Sequence, residues 1–565
     1  MYMESQKIII SLSLVFSLAL AGMSYWLYSE IYSVKQALSV TGGSVAESLV
    51  PRATGTTGAV KEKLTEVVKE QNAMKRQLWT TLQAKYKNAV CQVFSQINEF
   101  NWTEPYKTPN QTEAAGSAFF INDGEMITNA HVIDQAILVT IQIPTTGKRR
   151  FKAEILGVSP ERDLALLRLP PAELKTLKEL LKVDTLPYLT MGESDHVQRG
   201  DKIMTLGYPL GQQGLKSTAG VVSGFEHLMG QYFIQIDAPI NKGNSGGPSI
   251  DYRGYVIGVN SAGIQGAQNV GYIIPSNEVA FFLDQLKTIP SEGRTKLLRK
   301  PYLGVAFNQA TENLTSYLGN PQPGGLYVVD VYKGSPFDKA GIQAGDMLYK
   351  INGNRLDLYG EMKSPWRMED RISIVDYVSR LKVGDGIKLE YYRKGGLKKS
   401  EFTLTQTEPP IRRMYPGYEK IDYDVLAGFV IMPITLNHVI LLAQFAPELM
   451  QYADLKKQVE PALLITHVML NSPASRARTV GAGGIISQVN GQRVKTLAEL
   501  REAVKKSLST NYLTIKTTDN QFAALPVQEI LDDEPRLAST YYYKVSDLYQ
   551  VLNPQPSTTK TQKQS

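Results

Sequence analysis

The chain has 565 residues, which is too many for a single hydrophobic core, so several domains are expected. Hydrophobic residues make up 43% and charged residues 20%, a balance typical of globular domains rather than of disordered chains. The net charge of +7 is small for this length and no long basic run occurs, so nucleic acid is not an expected partner. The single cysteine, Cys91, excludes an intrachain disulfide.

The chain begins with an apolar segment. Residues 8–28 contain no charged side chain and end in a group of aromatic residues. A helix of about 20 apolar residues crosses a bilayer, and aromatic side chains favour its interfaces. We therefore predict a transmembrane anchor within residues 1–29. A cleaved signal peptide is the alternative, because Ala19-Leu20-Ala21 resembles a cleavage site.

The next segment, residues 30–87, predicts a linker followed by a helical stalk. Residues 30–60 are rich in Ser, Gly, Thr and Val, whereas residues 60–87 are polar and lack Gly and Pro. The run 89–93 then alternates like a β-strand and contains Cys91. The expected role of Cys91 is that of a small buried hydrophobic residue.

Short alternating apolar runs recur between residues 88 and 292, separated by Gly, Pro and Asn. This pattern predicts an all-β pair of barrels. The segment 172–182 is helix-like and predicts an insertion between strands.

The stretch Asn241–Pro248, within these β-rich residues, places a serine among glycines: Asn-Lys-Gly-Asn-Ser-Gly-Gly-Pro. A nucleophilic serine needs backbone N–H groups directed at the oxyanion that forms on attack, and glycine allows the required sharp turn. We predict that Ser245 is the nucleophile. The predicted oxyanion hole comprises Gly243, Asn244 and Ser245, with the N–H groups of Gly243 and Ser245 as donors.

Two upstream motifs supply partners for this serine. His131 lies in Thr-Asn-Ala-His-Val, and Asp163 lies in Arg-Asp-Leu-Ala-Leu-Leu. The order His131, Asp163, Ser245 is that of chymotrypsin-type double barrels and differs from the subtilisin and α/β-hydrolase orders. In such a triad the histidine takes the serine proton and passes it to the leaving amine, while the aspartate orients the imidazole.

Together the three motifs resemble the HtrA/Deg family of serine proteases, over residues 88–290 and more weakly to about residue 530. The resemblance implies a serine endopeptidase that hydrolyses unfolded or damaged exported proteins. It also implies a homotrimer or larger homo-oligomer formed through residues ahead of the barrel. No phosphate-binding glycine loop and no Cys/His cluster with metal-ligand spacing occurs in the sequence. We therefore expect ATP independence, no cofactor and no metal site.

The double-barrel resemblance also predicts a specificity pocket. Its base would be Pro239, six residues before Ser245, and its far wall would come from Asn260, Ser261 and Ala262. Without an acid at the base, a Lys or Arg of the substrate would be buried unpaired at a cost of several kcal/mol. We expect small or medium apolar residues before the scissile bond.

After about residue 295 two similar segments follow one another. Gly-Ser-Pro at Ser335 and Asn-Ser-Pro at Ser472 are each followed, at similar spacing, by Asn-Gly, which signals a tight hairpin turn. Both segments resemble PDZ domains. The first contains a loop like those that bind a peptide carboxylate while the peptide adds a strand to the sheet, namely Tyr302, Leu303, Gly304 and Val305.

The equivalent loop of the second segment is residues 427–430, but its match is weaker and Gly484 replaces the Asp346 of the first. Peptide binding and a purely packing role both stay open for this second segment.

The predicted fold is mainly β, a chymotrypsin-like double β-barrel followed by two PDZ-like α+β domains, with an N-terminal transmembrane helix. The predicted boundaries are 1–29 for the anchor or signal segment, 30–87 for the linker and stalk, 88–292 for the protease, 298–409 and 418–530 for the PDZ-like domains, and 531–565 for a C-terminal tail. The expected partners are unfolded or misfolded proteins, peptide C-termini and, through the N-terminal helix, the membrane.

We expect a single pass through the inner (cytoplasmic) membrane with the bulk of the chain in the periplasm. Secretion to the periplasm after signal cleavage, or an organelle lumen, are the alternatives. The alternative function is a holding chaperone or peptide-binding scaffold with a silent protease domain.

Overall fold

The computed structural model describes residues 78–212, 214–228, 230–263, 269–290, 295–366 and 371–553. The chain forms two compact units, Met1–Lys85 and Tyr86–Ser565. Within the first unit, residues 78–85 are helical. The predicted membrane segment and most of the predicted stalk lie outside the described residues. Among the residues that are described, no helix has the length and apolar character needed to cross a membrane.

The second unit begins with a barrel of six antiparallel strands. They are β1 Val90–Glu99, β2 Asn110–Phe120, β3 Glu125–Thr128, β4 Ala136–Gln142, β5 Phe151–Ser159 and β6 Leu164–Arg168. The order is β5-β4-β1-β2-β3-β6, and β5 also pairs with β6, so the sheet closes on itself. Cys91 lies fully buried among the apolar side chains of the interior, as predicted, and this burial raises its pKa.

A helix, α1 Pro171–Leu181, separates this barrel from the next one and confirms the predicted insertion. The second barrel is closed and has six strands: β7 Lys202–Gly207, β8 Lys216–Leu228, β9 Gln231–Ile236, β10 Pro248–Asp251, β11 Val256–Gly263 and β12 Gly271–Pro275. Helix α2 Ser276–Thr288 follows directly and buries Val279, Phe282 and Leu286. Strand β13 Lys296–Leu297 then pairs in parallel with β5. The predicted double barrel is confirmed.

The first PDZ domain is built on a mixed array of short elements. These are β14 Val305–Gln309, α3 Glu312–Tyr317, β15 Leu326–Val331, α4 Pro336–Lys339, β16 Met347–Ile351, β17 Asn354–Arg355, β18 Glu361–Lys363, β19 Arg371–Ser373, α5 Ile374–Ser379, β20 Gly386–Arg393 and β21 Gly396–Thr403. The main sheet has the order β14-β15-β16-β20-β21. Strand β14 therefore stands at an edge and pairs, within the described residues, with β15 alone.

The second PDZ domain repeats this plan with additional elements at both ends. They are β22 Asp424–Leu426, β23 Phe429–Pro433, α6 Leu436–Leu442, α7 Leu455–Gln458, β24 Leu463–Val468, α8 Pro473–Ala477, β25 Ile485–Val489, β26 Gln492–Arg493, α9 Leu497–Lys505, α10 Ser507–Thr510, β27 Tyr512–Thr517, β28 Phe522–Pro526, α11 Val527–Tyr541 and α12 Asp547–Leu552. The order is β22-β23-β24-β25-β27-β28. Helices α11 and α12 extend into the predicted C-terminal tail, 531–565, and Leu548 and Leu552 of α12 belong to the domain core, so the domain continues past residue 530.

The repeat predicted from the sequence corresponds to two structural features that both domains share, a capped helix and a tight turn. The side chains of Ser335 and Ser472 cap helices α4 and α8, each accepting a hydrogen bond from the N–H three residues on. Asn352 and Asn490, with the glycines after them, all have positive φ at the turns into β17 and β26. Positive φ at both central residues is the requirement of a tight two-residue hairpin turn.

The loop between β1 and β2 packs against the second PDZ domain. The carbonyl oxygen of Trp102 lies 3.1 Å from His438 Nε2, and the Thr466 hydroxyl donates to the carbonyl of Thr103 over 2.8 Å. The Tyr106 ring contacts that of Tyr543 edge-on. Burial lowers the pKa of His438 to about 4, so its imidazole is neutral at pH 7. The first barrel and the second PDZ-like domain thus contact each other through this loop.

Candidate active site

His131 and Asp163 meet where two loops leave the first barrel. His131 lies on a 3-10 turn, Ala130–Val132, directly after β3, and Asp163 follows the 3-10 turn Pro160–Arg162 between β5 and β6. The Nδ1 atom of His131 lies 2.8 and 2.9 Å from the two carboxylate oxygens of Asp163. The backbone N–H of His131 donates to the same carboxylate over 3.0 Å. Because an ionised carboxylate can only accept, Nδ1 carries the proton, which leaves Nε2 of the neutral ring as a base.

Asp163 is held on both its backbone and its side chain. The Ser261 hydroxyl donates to Asp163 Oδ2 over 2.8 Å, and the Asn129 side-chain amide donates to the Asp163 carbonyl over 2.9 Å. The backbone of Asp163 is left-handed, with φ 52°. That conformation is unfavourable for residues other than glycine, so these contacts hold the carboxylate in a position the free chain would rarely adopt.

The electrostatics of His131 favour its protonated form. Partial burial lowers the pKa of its half-exposed ring, but the hydrogen bond from Nδ1 and the negative charges of Asp163 and Asp134 outweigh this, and the pKa is raised overall. A histidine with a raised pKa and a fixed carboxylate partner is well suited to accept a proton and hold it.

Ser245 lies on the loop that connects β9 to β10, and its glycine neighbours are required by close packing. A Cβ on Gly243 would lie 2.3 Å from the Tyr208 carbonyl oxygen, and one on Gly246 would lie 2.1 Å from that of Ser117. Both glycines also have positive φ, 98° and 86°. The motif therefore forms one tight loop for which only glycine is suited at these two positions.

Ser117, on β2 of the first barrel, holds the serine loop through two hydrogen bonds. Its N–H donates to the Ser245 carbonyl over 2.8 Å, and its hydroxyl donates to the Gly243 carbonyl over 2.6 Å. The sequence analysis assigned no role to Ser117. The available signal was its place in a Gly-Ser-Ala-Phe strand just before the His131 motif, which points a small polar side chain toward the junction of the barrels.

The N–H groups of the serine loop are unequally available. The Lys242 carbonyl accepts a hydrogen bond from the Leu210 N–H over 2.7 Å. Because C=O and N–H of a trans peptide point in opposite directions, Gly243 N–H faces away from Leu210. Neither Gly243 N–H nor Ser245 N–H has a hydrogen-bond partner in the described part of the chain. Asn244 N–H, by contrast, donates to the Asn241 carbonyl over 2.9 Å, so the two N–H groups predicted as oxyanion donors are the ones without a partner among the described residues.

The Ser245 hydroxyl is not directed at His131. It donates to the Ser261 carbonyl over 2.9 Å, and no hydrogen bond joins Ser245 to His131 among the described residues. The loop position is thus formed, whereas the serine–histidine hydrogen bond needs the hydroxyl to leave Ser261. Hydrogen bonds of catalytic groups are often incomplete before substrate binds.

The residues predicted to line a specificity pocket are placed differently from one another. Pro239 is exposed, and the side chain of Ala262 lies outside the described part. Asn260 is fully buried, where its amide donates to the Leu206 carbonyl and its oxygen accepts from the Ser249 hydroxyl. The Asn260 side chain is therefore engaged in the barrel interior, whereas Ser261, whose hydroxyl donates to Asp163, lines a cavity beside His131 and Asp163.

A cavity of about 1190 Å³ opens beside His131 and Asp163. Its lining also includes residues 413–416 of the linker between the PDZ domains, together with Trp102 and Asn437. Lys300 also lines it. Burial lowers the Lys300 pKa to about 8, and its Nζ donates to the Gly230 carbonyl. The contribution of residues 413–416 could not be predicted, because the Glu-Pro-Pro run at residues 408–410 indicates only a linker.

The predicted peptide-binding loop of the first PDZ domain is tightly folded. Gly304 has φ 68°, and its carbonyl accepts from Tyr332 N–H over 2.7 Å. A Cβ on Gly304 would lie 2.3 Å from the Cβ of Ser335. Leu303 is buried, and the Tyr302 ring packs edge-on against Tyr332. Val305 begins β14, so the loop leads directly into the strand that forms the edge of the sheet in the described part of the chain.

The equivalent site of the second PDZ domain is occupied by its own chain. Strand β22 pairs antiparallel with β23, with Leu426 opposite Phe429, so β23 has neighbours on both edges. The loop N–H of Ala427 donates to the carboxylate of Glu534 on α11 over 3.2 Å. Burial raises the pKa of Glu534 to about 7, with hydrogen bonds from the Tyr543 hydroxyl and Ala427 opposing the shift.

Comparison with known proteins agrees with this architecture. Residues 116–259 match the family described as a trypsin-like peptidase domain, and residues 301–404 and 415–546 each match a PDZ domain. A probable periplasmic DegP-like serine endoprotease of Chlamydia trachomatis is 30% identical over 415 residues, which is 72% of this chain and 73% of that protein. A protein of the same description from a Marinomonas species is 28% identical over 405 residues, 70% of this chain and 75% of its own.

Among solved structures, an HtrA-type protease AlgW with decapeptide is 25% identical, with a TM-score of 0.45, and the match covers 59% of this chain and 99% of that one. The chain belongs to the HtrA/Deg family of DegP-like serine endoproteases, with a trypsin-like peptidase domain followed by two PDZ domains.

Proposed function

We propose that the endopeptidase activity of this chain is carried by Ser245, His131 and Asp163. The observation that carries the proposal is the His131–Asp163 pair at 2.8 Å beside a serine loop with two unused N–H groups. Ser245 Oγ would attack the scissile carbonyl while His131 Nε2 takes its proton. The same proton then goes to the leaving amine as the acyl-enzyme forms, and water releases the product by the reverse sequence.

The oxyanion of the tetrahedral intermediate would be bound by the N–H groups of Gly243 and Ser245. Loss of one such donor typically costs a factor of about 10² to 10³ in kcat. Asp163 would hold the His131 ring in its Nδ1–H form and stabilise the imidazolium that appears during each step. For the pocket, we keep the expectation of small or medium apolar residues before the scissile bond, with Pro239 and Ala262 as its proposed lining.

The proposed substrates are unfolded or damaged exported proteins, cleaved without ATP. The relatives named above are described as periplasmic, which together with the apolar N-terminal segment supports a periplasmic protease domain. A single-pass anchor in the inner membrane, and assembly as a homotrimer or larger, remain part of the proposal. The first PDZ domain would bind peptide C-termini at residues 302–305 and along the open edge of β14.

Degradation of reduced, unfolded casein and of a folded control protein tests this function. The full chain without ATP is expected to degrade casein only, and both Ser245→Ala and His131→Ala should abolish the activity. Casein degradation that survives in both variants would contradict the assignment of the site.

One observation supports the alternative, a holding chaperone: the Ser245 hydroxyl donates its hydrogen bond to the Ser261 carbonyl and not to His131. If this arrangement persists with substrate, the parent chain should suppress aggregation of an unfolded protein as well as Ser245→Ala does, and should cleave nothing. Cleavage by the parent chain would reduce holding to an accompanying activity.

A further inference from the structure

Arg162, the residue before Asp163, has a fully buried side chain. Burying a guanidinium is costly unless its N–H groups are all paired. Here Nη2 donates to the Ser379 carbonyl over 2.8 Å, and Nε lies 3.6 Å from Glu278 Oε2. Nε and Nη1 have no hydrogen-bond partner among the described residues. A buried arginine with unpaired N–H groups is expected to destabilise the fold. Its position next to Asp163 therefore suggests a role other than stability.

Arg162 is anchored at its backbone as well as its side chain. The Gln231 side-chain amide, from β9 of the second barrel, donates to the Arg162 carbonyl over 2.9 Å. The guanidinium lies 4.9 Å from the ring of Phe281 on α2. The next residue, Asp163, has the left-handed backbone described above, which persists only where its surroundings restrain it. Fixing Arg162 at both ends supplies that restraint on the N-terminal side of Asp163.

One anchor of Arg162 belongs to a different domain. Ser379 ends helix α5 of the first PDZ domain, and the following residue, Arg380, also reaches the protease. Arg380 lies 3.2 Å from Glu278 and donates twice to Asp195 over 3.0 Å. Glu278 therefore contacts Arg162 and Arg380 together. The first PDZ domain thus supplies one contact to Arg162 directly, through Ser379, and a second indirectly, through Arg380 and Glu278.

We propose that Arg162 is a positioning residue for Asp163, and that docking of the first PDZ domain through Ser379 and Arg380 completes its placement. This inference rests on the proposed role of Asp163 in catalysis. A displaced Asp163 would stabilise the His131 imidazolium less well, which lowers both the rate of the chemical step and the pKa of His131. Substrate binding, which uses neither group, would change little.

Other charged groups face these residues and stay unchanged in the test. Asp134 and the linker residue Arg413 lie with His131 at the cavity, and Glu161 and Lys300 lie close to Arg162. Because Lys300 has a pKa of about 8, it affects the alkaline side of a pH profile. The acid limb, where His131 titrates, is the informative side.

Arg162→Met in the full chain tests the role directly, with a fluorogenic casein assay from pH 5 to 9. We expect kcat to fall about 10- to 100-fold with KM within about twofold, and the acid limb of kcat/KM to move down by about half a pH unit or more. Arg162→Lys keeps the positive charge but not the planar guanidinium, so its kcat should lie between those of the parent and Arg162→Met. The matched control is Arg168→Met, an exposed arginine of β6 paired with Glu154, which should match the parent.

The coupling to the PDZ domain is tested by Arg380→Ala. Alone it should lower kcat about three- to tenfold with the same shift of the acid limb, and added to Arg162→Met it should have no further effect. A folded Arg162→Met with parental kcat and acid limb would overturn the positioning role, and additive effects would overturn the coupling. If Arg162→Met does not fold, parental acid limbs in both Arg162→Lys and Arg380→Ala overturn the proposal.

Failure of the proposed catalytic site would be seen separately. Ser245→Ala and Asp163→Asn in the otherwise unchanged chain should abolish turnover. If they do so while the Arg162 and Arg380 variants behave like the parent, only the positioning role is wrong. If they retain turnover, the site assignment itself is wrong.

Discussion

The two PDZ domains share one plan and differ in whether their peptide site is open. In the first, β14 pairs only with β15 among the residues that the structure describes, and Asn308 and Gln309 on it are exposed. In the second, β23 is fully covered, with β22 on one edge and β24 on the other. The loop N–H of Ala427 already binds the carboxylate of Glu534. The difference comes from β22 and α11, which flank the repeat, rather than from the repeat itself.

The sequence motifs of a PDZ domain therefore do not by themselves establish an open peptide-binding site. Both domains keep the capped helix and the Asn-Gly turn, because those features build the scaffold. The open site belongs to the domain that docks on the protease next to Arg162, and the filled site belongs to the domain that packs on the β1–β2 loop. We infer that the first PDZ domain receives peptides and the second serves for packing.

The largest expected effect concerns Glu534. Its pKa is about 7 in the folded chain and near 4.5 when exposed, so the folded state binds the extra proton between these values. Stability of the second PDZ domain should therefore fall by up to about 3 kcal/mol as pH rises from 4.5 to 7 and above. Glu534→Gln removes the titrating group, and calorimetric unfolding at pH 5 to 8 should lose this slope.

The matched control for that experiment is Glu529→Gln, an exposed residue of the same helix paired with Arg476. It should keep the parental slope. A slope that persists in Glu534→Gln would show that the titration of another group causes the loss of stability.

A second prediction sets the two loop glycines against each other. Gly304→Ala and Gly428→Ala each place a Cβ within 2.3 Å of a serine Cβ, at Ser335 and Ser472 respectively, and both positions have positive φ. Each substitution distorts its own loop, at a cost of roughly 1–2 kcal/mol for the backbone alone. Only Gly304→Ala should weaken binding of a C-terminal peptide, by at least about tenfold.

Fluorescence anisotropy with a hydrophobic decapeptide measures this binding in the Ser245→Ala background, where no cleavage interferes. A C-terminally amidated peptide should bind weakly to every variant. If Gly304→Ala and Gly428→Ala weaken peptide binding equally, the second PDZ site opens in solution, and the two PDZ domains do not differ in peptide binding.

The smallest expected effect concerns the helix caps, where the two domains should behave alike. Ser335→Ala and Ser472→Ala each remove one N-cap hydrogen bond, which costs about 1 kcal/mol. Thermal unfolding of both variants should show similar destabilisation of the affected domain. A clear effect in only one would show that the shared serine does not play the same role in both repeats.

Much of the fold could be predicted from the sequence, because backbone conformation at turns and the alternation of apolar residues in strands are local properties. Gly243 and Gly246 both have positive φ, a local backbone requirement that the motif itself predicts, whereas the carbonyls of Tyr208 and Ser117 that exclude a Cβ there are distant in sequence. The alternating strands and the Asn-Gly turns likewise predict the barrels and the repeat. His131 and Asp163 lie at the positions where their motifs predict a contact.

What the sequence did not reveal depends on contacts between distant residues. Glu534 lies 107 positions from Ala427, and the linker residue Tyr418 donates its hydroxyl to the carbonyl of Ile133, 285 positions away. No local pattern marks such pairs. Likewise, the motif gives the position of Asn260 on β11 but not which side of the strand is buried, and the Asn260 side chain lies in the barrel interior.

The central claim is that Ser245 acts as a nucleophile through His131. The most direct test is labelling of the full chain with a fluorophosphonate, located by peptide mass spectrometry, with and without an unfolded protein substrate. We predict a single modification at Ser245 that disappears in His131→Ala, and stronger labelling with substrate present, because the hydroxyl must leave Ser261. Absence of labelling under both conditions in a folded sample, or labelling that persists in His131→Ala, would contradict the account.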